Sequence, residues 1–206
     1  MTNPRWLDWV QRLQGIAQAG LTYSENVYDL ERYRMLREIA AEILSEYSAT
    51  DLPVVKTLLE NETGYATPKV DCRGVVFQDD SILMVKELSD GGWTLPGGWV
   101  DVGEPPSLSV EREVWEESGY RVKAVKLLAL LDRALHGHPP APFSAYKMYF
   151  LCEITGGAPK DSHETAGAAF FAEDAIPPLS IQRTTPDEIQ RMFVHHRNTD
   201  LSTEFD

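Results

Sequence analysis

The sequence predicts an α/β domain preceded by a small all-helical N-terminal domain. Three observations predict it. Apolar residues recur at helical spacing up to about residue 60. From residue 69 onward, short β-rich runs replace that pattern. Two further helices carry their own start and stop signals, one near 105–118 and one beginning at 185. The chain has 206 residues, 43% of them hydrophobic, which suffices for a core and excludes global disorder.

In the N-terminal part, Asn3 can cap a first helix with Pro4 at its first position. Trp6, Val10, Leu13 and Ala17 then share one face. A second, longer helix is read from Leu30, Tyr33, Ile39, Ile43 and Tyr47, and a third from about 51 to 59. Such a stripe must be buried, either within its own bundle or against the main domain or a second subunit. The boundaries read as 1–62 for the helical domain and 67–200 for the second domain. Gly64 and Pro68 mark the linker between them.

Residues 70–77 and 81–86 form β-rich runs around Gln78-Asp79-Asp80, a hairpin-like break. Residues 122–131, 145–154 and 168–172 are further strands, with Gly156-Gly157 as a turn signal between the last two. Thr185-Pro186-Asp187-Glu188 is a helix start with a capping box, followed by apolar Ile189, Met192 and Phe193. The polar residues 198–206 read as a frayed end.

Charge and composition narrow the function. The formal net charge is −13, so the chain repels nucleic-acid backbone but can still take a small phosphorylated ligand through metal ions. No apolar run is long enough to span a membrane, and the first residues lack a signal-peptide layout. Cys72 and Cys152 lie in apolar, strand-like stretches and read as buried free thiols. A cytoplasmic location is expected.

The chemistry concentrates between Gly98 and Tyr120. A glycine-punctuated loop, 97–104, leads into a helix from about Pro105 or Pro106 to Ser118, which Gly119 stops. Leu108, Val110, Val114 and Trp115 can anchor that helix to a core. Glu113, Glu116 and Glu117 fall within an arc of about 100° on it. Carboxylates three and four residues apart repel. The plain reading is a solvated acidic face; the other is a site for a hard divalent cation, Mg²⁺ or Mn²⁺, which removes the repulsion.

The spacing favours the second reading. From Gly98, five residues lead to Glu104 and seven more to Arg112-Glu113; Val114, one residue, Glu116-Glu117, one residue and Gly119-Tyr120 follow. This resembles the Nudix box of the Nudix hydrolases, departing only at Tyr120, where an aliphatic residue is usual. The resemblance implies an α/β/α sandwich with a mixed sheet, acting on nucleoside diphosphates linked to another moiety and releasing a nucleoside monophosphate plus a phosphorylated product. It implies metal ligation by Glu113, Glu116, Glu117 and the carbonyl of Gly98. Arg112 and Glu104 pair to hold loop to helix, and Glu104 can reach metal through water. The catalytic base is a box glutamate or an acid from a later loop, for which Glu164 is the candidate.

Trp6-Leu7, 68–71, 93–99 and 179–185 look like a bacterial Nudix subgroup with a helical N-terminal domain. That subgroup includes CDP-choline pyrophosphatases and proteins labelled ADP-ribose pyrophosphatases, and it implies a homodimer contacting through those helices. CDP-choline is the leading substrate expectation and ADP-ribose the alternative; an RNA-directed enzyme and a non-catalytic nucleotide sensor stand behind them. A choline headgroup wants an aromatic cage, for which Trp93, Trp99, Tyr146 and Tyr149 are available. His136 and His138 could serve either ligand.

Overall fold

A computed structural model describes residues 4–206. Contacts divide it into two units: residues 4–68 with Pro140–Ser144, and Lys69–Pro139 with Ala145–Asp206. No helix among the described residues is long and apolar enough to cross a membrane.

The first unit holds α1 (Arg5–Tyr23), α2 (Val27–Ser48) and α3 (Leu52–Glu60). Pro4 stands at the N-cap of α1 rather than inside it, and the proposed cap Asn3 lies outside the described residues. Asn26 caps α2, accepting from the backbone N–H of Tyr28 and Asp29. The core is Leu7, Val10, Ala40, Ala41, Leu44, Val55 and Leu59. Small alanines thus face α1, while Ile39 and Tyr47, expected on the buried stripe, are exposed. Gly20 explains the close approach of α1 and α2: a Cβ there would lie 2.4 Å from the Tyr33 ring.

The second unit is built on a mixed sheet. Its strands are β1 (Lys69–Gln78), β2 (Ser81–Glu87), β3 (Trp93–Thr94), β4 (Tyr120–Asp132), β5 (Ala145–Gly157), β6 (Thr165–Ala172) and β7 (Glu204–Phe205). The order is β3-β2-β1-β5-β4-β7, with β6 on β2. β1 pairs parallel with β5, and β4 antiparallel with β5. The β1–β2 hairpin turns at Asp79, whose φ is 53°, and its strands stay paired only at Phe77↔Ile82 and Gln78↔Ser81.

Alternation along the strands buries both faces of this sheet. Val75, Ile82 and Met84 pack with Ile189, Met192 and Phe193 of α5 (Pro186–Arg197). Cys72, Val76 and Leu83 pack with Val110 and Val114 of α4 (Pro106–Ser118). The result is the α/β/α sandwich. Thr185 and Glu188 close a capping box on α5. Both cysteines are free and buried.

Three expectations need correction. Residues 198–206 are not frayed: β7 pairs with β4, Arg191 holds Glu204 at 2.6 Å, and Asp206 Oδ2 accepts from the Asp132 N–H at 2.6 Å. Gly156 and Gly157 continue β5 opposite Arg121 and Tyr120 instead of turning. Of the four apolar anchors on α4, Val110 and Val114 are buried, while Leu108 and Trp115 are exposed. Lys160 Nζ sits 4.2 Å over the Trp115 ring.

Candidate active site

The strands β1 and β2 separate beyond their short hairpin, and the loop before α4 fills the freed edge of β1. Gly74 N–H donates to Pro96 O at 2.8 Å, Cys72 N–H to Gly98 O at 2.8 Å, and Val100 N–H to Val70 O at 2.9 Å. Two glycines make this approach feasible. Gly97 has φ 142°, and a Cβ on it would lie 2.0 Å from the Cys72 carbonyl oxygen. A Cβ on Gly74 would lie 2.3 Å from Val114 Cγ2, so α4 sits directly on the β1 backbone.

This docking brings the loop against the acidic face of α4. Gly97 N–H donates to Glu117 Oε2 at 2.8 Å. A Cβ on Gly98 would lie 3.3 Å from the Glu113 carboxyl group, so these two residues face each other. Arg112 binds four carboxylates' worth of loop and helix. Its Nε and Nη2 take Glu104 in a two-pronged pair, 3.1 and 2.9 Å, and its Nη1 reaches Glu113 Oε1 at 2.9 Å and Glu116 Oε2 at 3.0 Å. Asp101 lies 3.6 Å from Nη2.

The electrostatics are those of an under-neutralised acidic pocket. Glu117 is 7% exposed. Burial pushes its carboxyl up to about 8, with Glu113 and Glu87 adding to the rise and Arg73 and the Gly97 N–H opposing it. Burial also raises Glu113, against the pull of Arg112. Arg112 Nη1 lies between Glu113 and Glu116, and among the described residues no three ligand side chains close on one point. The fit to a divalent cation is therefore one of donor chemistry. Hard oxygens only are present, two of the carboxylates are poorly solvated, and the Gly98 carbonyl retains a second lone pair beyond its bond from Cys72.

Behind the pocket lies a buried ionic network. Arg73, 5% exposed, binds Asp71 through Nε and Nη2 at 2.8 and 3.0 Å, and its Nη1 donates to Leu95 O at 3.1 Å. Lys147 Nζ lies 3.3 Å from Asp71 Oδ2 and donates to Arg183 O at 2.6 Å. Arg183 Nε pairs with buried Glu87 at 2.9 Å. Sequence reading missed Arg73, Lys147, Glu87 and Arg183. A signal existed for two members: Asp71 and Arg73 are charged at i and i+2 in an apolar strand, hence on one face.

Glu164 is exposed, on the turn before β6. Its carbonyl accepts from Leu88 N–H at 2.9 Å, and its own N–H donates to Ser162 Oγ at 3.1 Å. The next residue, Thr165, donates its hydroxyl to the Glu117 carbonyl at 2.7 Å, which ties this turn to the end of α4. Glu164 is also close enough to Glu87 to raise its carboxyl, though burial is the larger cause.

The aromatic and histidine candidates scatter. Trp99 and Tyr146 are 47% and 42% exposed. They flank β1, Trp99 bridging Asp71 and Tyr146 opposite Val70. Trp93 packs edge-on against Phe171 at the margin of the core, and Tyr149 is fully buried. His136 Nε2 lies 2.8 Å from Asp206 Oδ1. His138 is buried between Glu188 Oε1, 2.6 Å, and the Ile181 carbonyl, 3.0 Å, so its role is structural.

Comparisons with known proteins match both units. A NUDIX domain model matches residues 67–192, and a model described as a UDP-X-like, N-terminal oligomerisation domain matches residues 4–59. "Putative ADP-ribose pyrophosphatase YjhB" of Bacillus subtilis (strain 168) is 45% identical over 202 residues, covering 98% of this chain and 97% of that protein. The crystal structure of a UDP-X diphosphatase is 30% identical with a TM-score of 0.64, covering 100% of both chains. That of an ADP-ribose pyrophosphatase from Streptococcus suis 89-1591 is 37% identical with a TM-score of 0.63, covering 68% of this chain and 100% of that one.

Proposed function

This chain belongs to the Nudix hydrolases, and on that premise we propose that it cleaves the diphosphate of a nucleoside diphosphate joined to a sugar, with ADP-ribose as the leading substrate. The observation that carries the reading is the seating of the Gly97–Gly98 loop on Glu113 and Glu117, with Arg112 clamping Glu104 to the same helix. Nudix hydrolases generally need a divalent metal ion such as Mg²⁺. Glu113, Glu116, Glu117 and the Gly98 carbonyl would hold it, with Glu104 as a further oxygen reached through water. When bound, such a cation supplies positive charge to the diphosphate oxygens and acidifies the attacking water.

The protein's own groups do the rest. Water attacks one phosphorus, the bridging P–O bond breaks, and the leaving phosphate keeps the bridging oxygen. For ADP-ribose the products are AMP and ribose 5-phosphate. The proton lost by water goes to a carboxylate. Glu164 is the proposed base, because its turn is tied to the end of α4 through Thr165 and the residue is solvent-exposed. Arg112 acts by holding the loop and helix in register, so it is a positioning residue.

CDP-choline, the sequence-based leading expectation, loses support on two counts. One relative matched over nearly the whole chain carries an ADP-ribose pyrophosphatase name, and the structure matched over the whole chain is of a UDP-X diphosphatase. The cage reduces to Trp99 and Tyr146, set on either side of β1, since Trp93 and Tyr149 pack into the core. The helical unit exposes Trp9, Ile16, Met35, Ile39, Val54 and Leu58, which supports a homodimer through these helices.

Steady-state kinetics with Mg²⁺ against ADP-ribose, UDP-glucose and CDP-choline test the ranking. ADP-ribose is expected to give the highest kcat/KM; a higher value for CDP-choline would restore the aromatic cage. In the same assay Glu164→Gln is expected to lose about 10²-fold or more in kcat. A rate near that of the wild type would move the proton to a box glutamate.

A further inference from the structure

The helical unit contains a cavity of 690 Å³, separate from the carboxylate site described above. The second half of α1, the middle of α2, α3 and the turn that follows line it. Three cations border it, Arg34, Arg37 and Lys56, against two carboxylates, Glu38 and Glu60. That balance is unusual in a chain of net charge −13.

The three cations differ in their pairing. Lys56 has an ion-pair partner, Glu38 Oε1 at 3.5 Å. Arg34 and Arg37 make no hydrogen bond to any described residue. Arg37 Nε is also cut off from water with no acceptor. Burial works against its charged form, and the charge of Glu60 offsets this only in part. A buried guanidinium nitrogen such as Arg37 Nε is normally paired, and with exposed Arg34 one turn away on α2 the two side chains offer donors that match a phosphate group.

The remaining walls suit an organic body. Leu21 is apolar. The turn opposite is fixed: Gln18 Nε2 donates to Thr63 O at 3.2 Å, and the Thr22 hydroxyl both donates to Gly64 O at 3.2 Å and accepts from Gly64 N–H at 3.1 Å. Small-molecule sites run from about 300 to 1,000 Å³, so a phosphate alone would leave much of this cavity unfilled.

We propose that the helical unit binds a small phosphate monoester, with Arg34 and Arg37 on its phosphate group and Lys56 adding charge. This site is independent of the carboxylate site on α4.

Isothermal titration of the full-length protein in EDTA tests it, because removing divalent cations disfavours phosphate binding at the carboxylate site. Ribose 5-phosphate is the probe, with ribose and inorganic phosphate as controls. The expected result is saturable binding at one site per chain, competed by inorganic phosphate and absent for ribose. Arg34→Gln/Arg37→Gln should weaken binding about tenfold or more, and Arg37→Gln alone should weaken it measurably with the thermal midpoint unchanged. Hydrogen exchange on the complex should show protection in residues 18–22, 34–38 and 56–64. Absence of saturable binding, equal binding of ribose, or unchanged affinity in the double variant would overturn the proposal. So would protection confined to residues 97–117. Dissociation of an oligomer by the double variant, with no phosphate bound by the wild type, would assign the arginines to carboxylates of a second copy and overturn it as well.

Discussion

Glu117→Gln is expected to lower kcat by about 10³-fold or more while leaving the fold intact. A cation held at the diphosphate contributes several kcal/mol of transition-state charge stabilisation, and each 1.36 kcal/mol is tenfold in rate. Glutamine keeps an oxygen to accept the Gly97 N–H, so the loop stays seated. It cannot carry the negative charge that burial makes costly at this position. Burial first, then Glu113 and Glu87, push the Glu117 carboxyl up to about 8. At pH 7 the metal-free site therefore holds a proton there, and cation binding must release it. Metal titrations in buffers of different ionisation enthalpy should show close to one proton released by the wild type and none from this residue in Glu117→Gln.

The sign for stability follows from the same shift. A folded-state carboxyl raised above its unfolded value binds protons more tightly in the folded state. Its contribution to metal-free stability falls as pH rises from about 4.5 to about 8. The glutamine variant lacks that decline. Thermal midpoints measured without metal at pH 5 and pH 8.5 should separate the two proteins only at the higher pH.

Arg73→Met is expected to produce a large loss of stability. Arg73 and Asp71 are both buried and joined by two short bonds, and Lys147 is the only other cation on Asp71 within hydrogen-bond reach among the described residues. Removing one partner of a buried pair costs about 3–5 kcal/mol, because the remaining charge loses compensation. For a protein of this length that lowers the thermal midpoint by roughly 6–20 °C. Leu95 O also loses its donor, and Glu117 loses the charge that most opposes its protonation. Combining Asp71→Asn with Arg73→Met should cost less than the sum of the two, since neither member of the pair is then left charged without the other, while the loss of Asp71 from Lys147 is already counted in Asp71→Asn alone. A midpoint within a few degrees of wild type for Arg73→Met would show that this network does not hold the fold together.

The legible parts of the fold were those with local signals. The capping box of Thr185 and Glu188 is contained in four residues, and α5 starts there. The spacing of Glu113, Glu116 and Glu117 follows from helical geometry alone, and α4 ends at Gly119 with φ 82°. The strands from residue 69 carry apolar runs because α4 and α5 cover both faces of their sheet.

The illegible parts depend on partners distant in sequence. Gly74 reads as an ordinary strand glycine until Val114 lies against it. Arg73 lies in a run legible only as β-rich, and its burial depends on Leu95, more than twenty residues away, as well as on Asp71. The polar tail carries no apolar pattern, yet Lys126 Nζ donates to the carbonyls of Thr199 and Leu201, and β7 pairs with β4. Ile39 and Tyr47 matched a helical stripe in α2, but Ala40, Ala41 and Leu44 face its core, because the close approach of α1 favours small side chains. Exposed apolar residues on such a helix are legible only once a partner surface is considered.

The most direct test of the central claim is product analysis with ADP-ribose in H₂¹⁸O, with Mg²⁺ and with EDTA. AMP and ribose 5-phosphate are expected as the only products, with one ¹⁸O on a phosphate, dependence on Mg²⁺, and loss of both products in Glu117→Gln. Cleavage outside the diphosphate, cleavage undiminished by EDTA, or no turnover of ADP-ribose, UDP-glucose or CDP-choline with either Mg²⁺ or Mn²⁺ would contradict it.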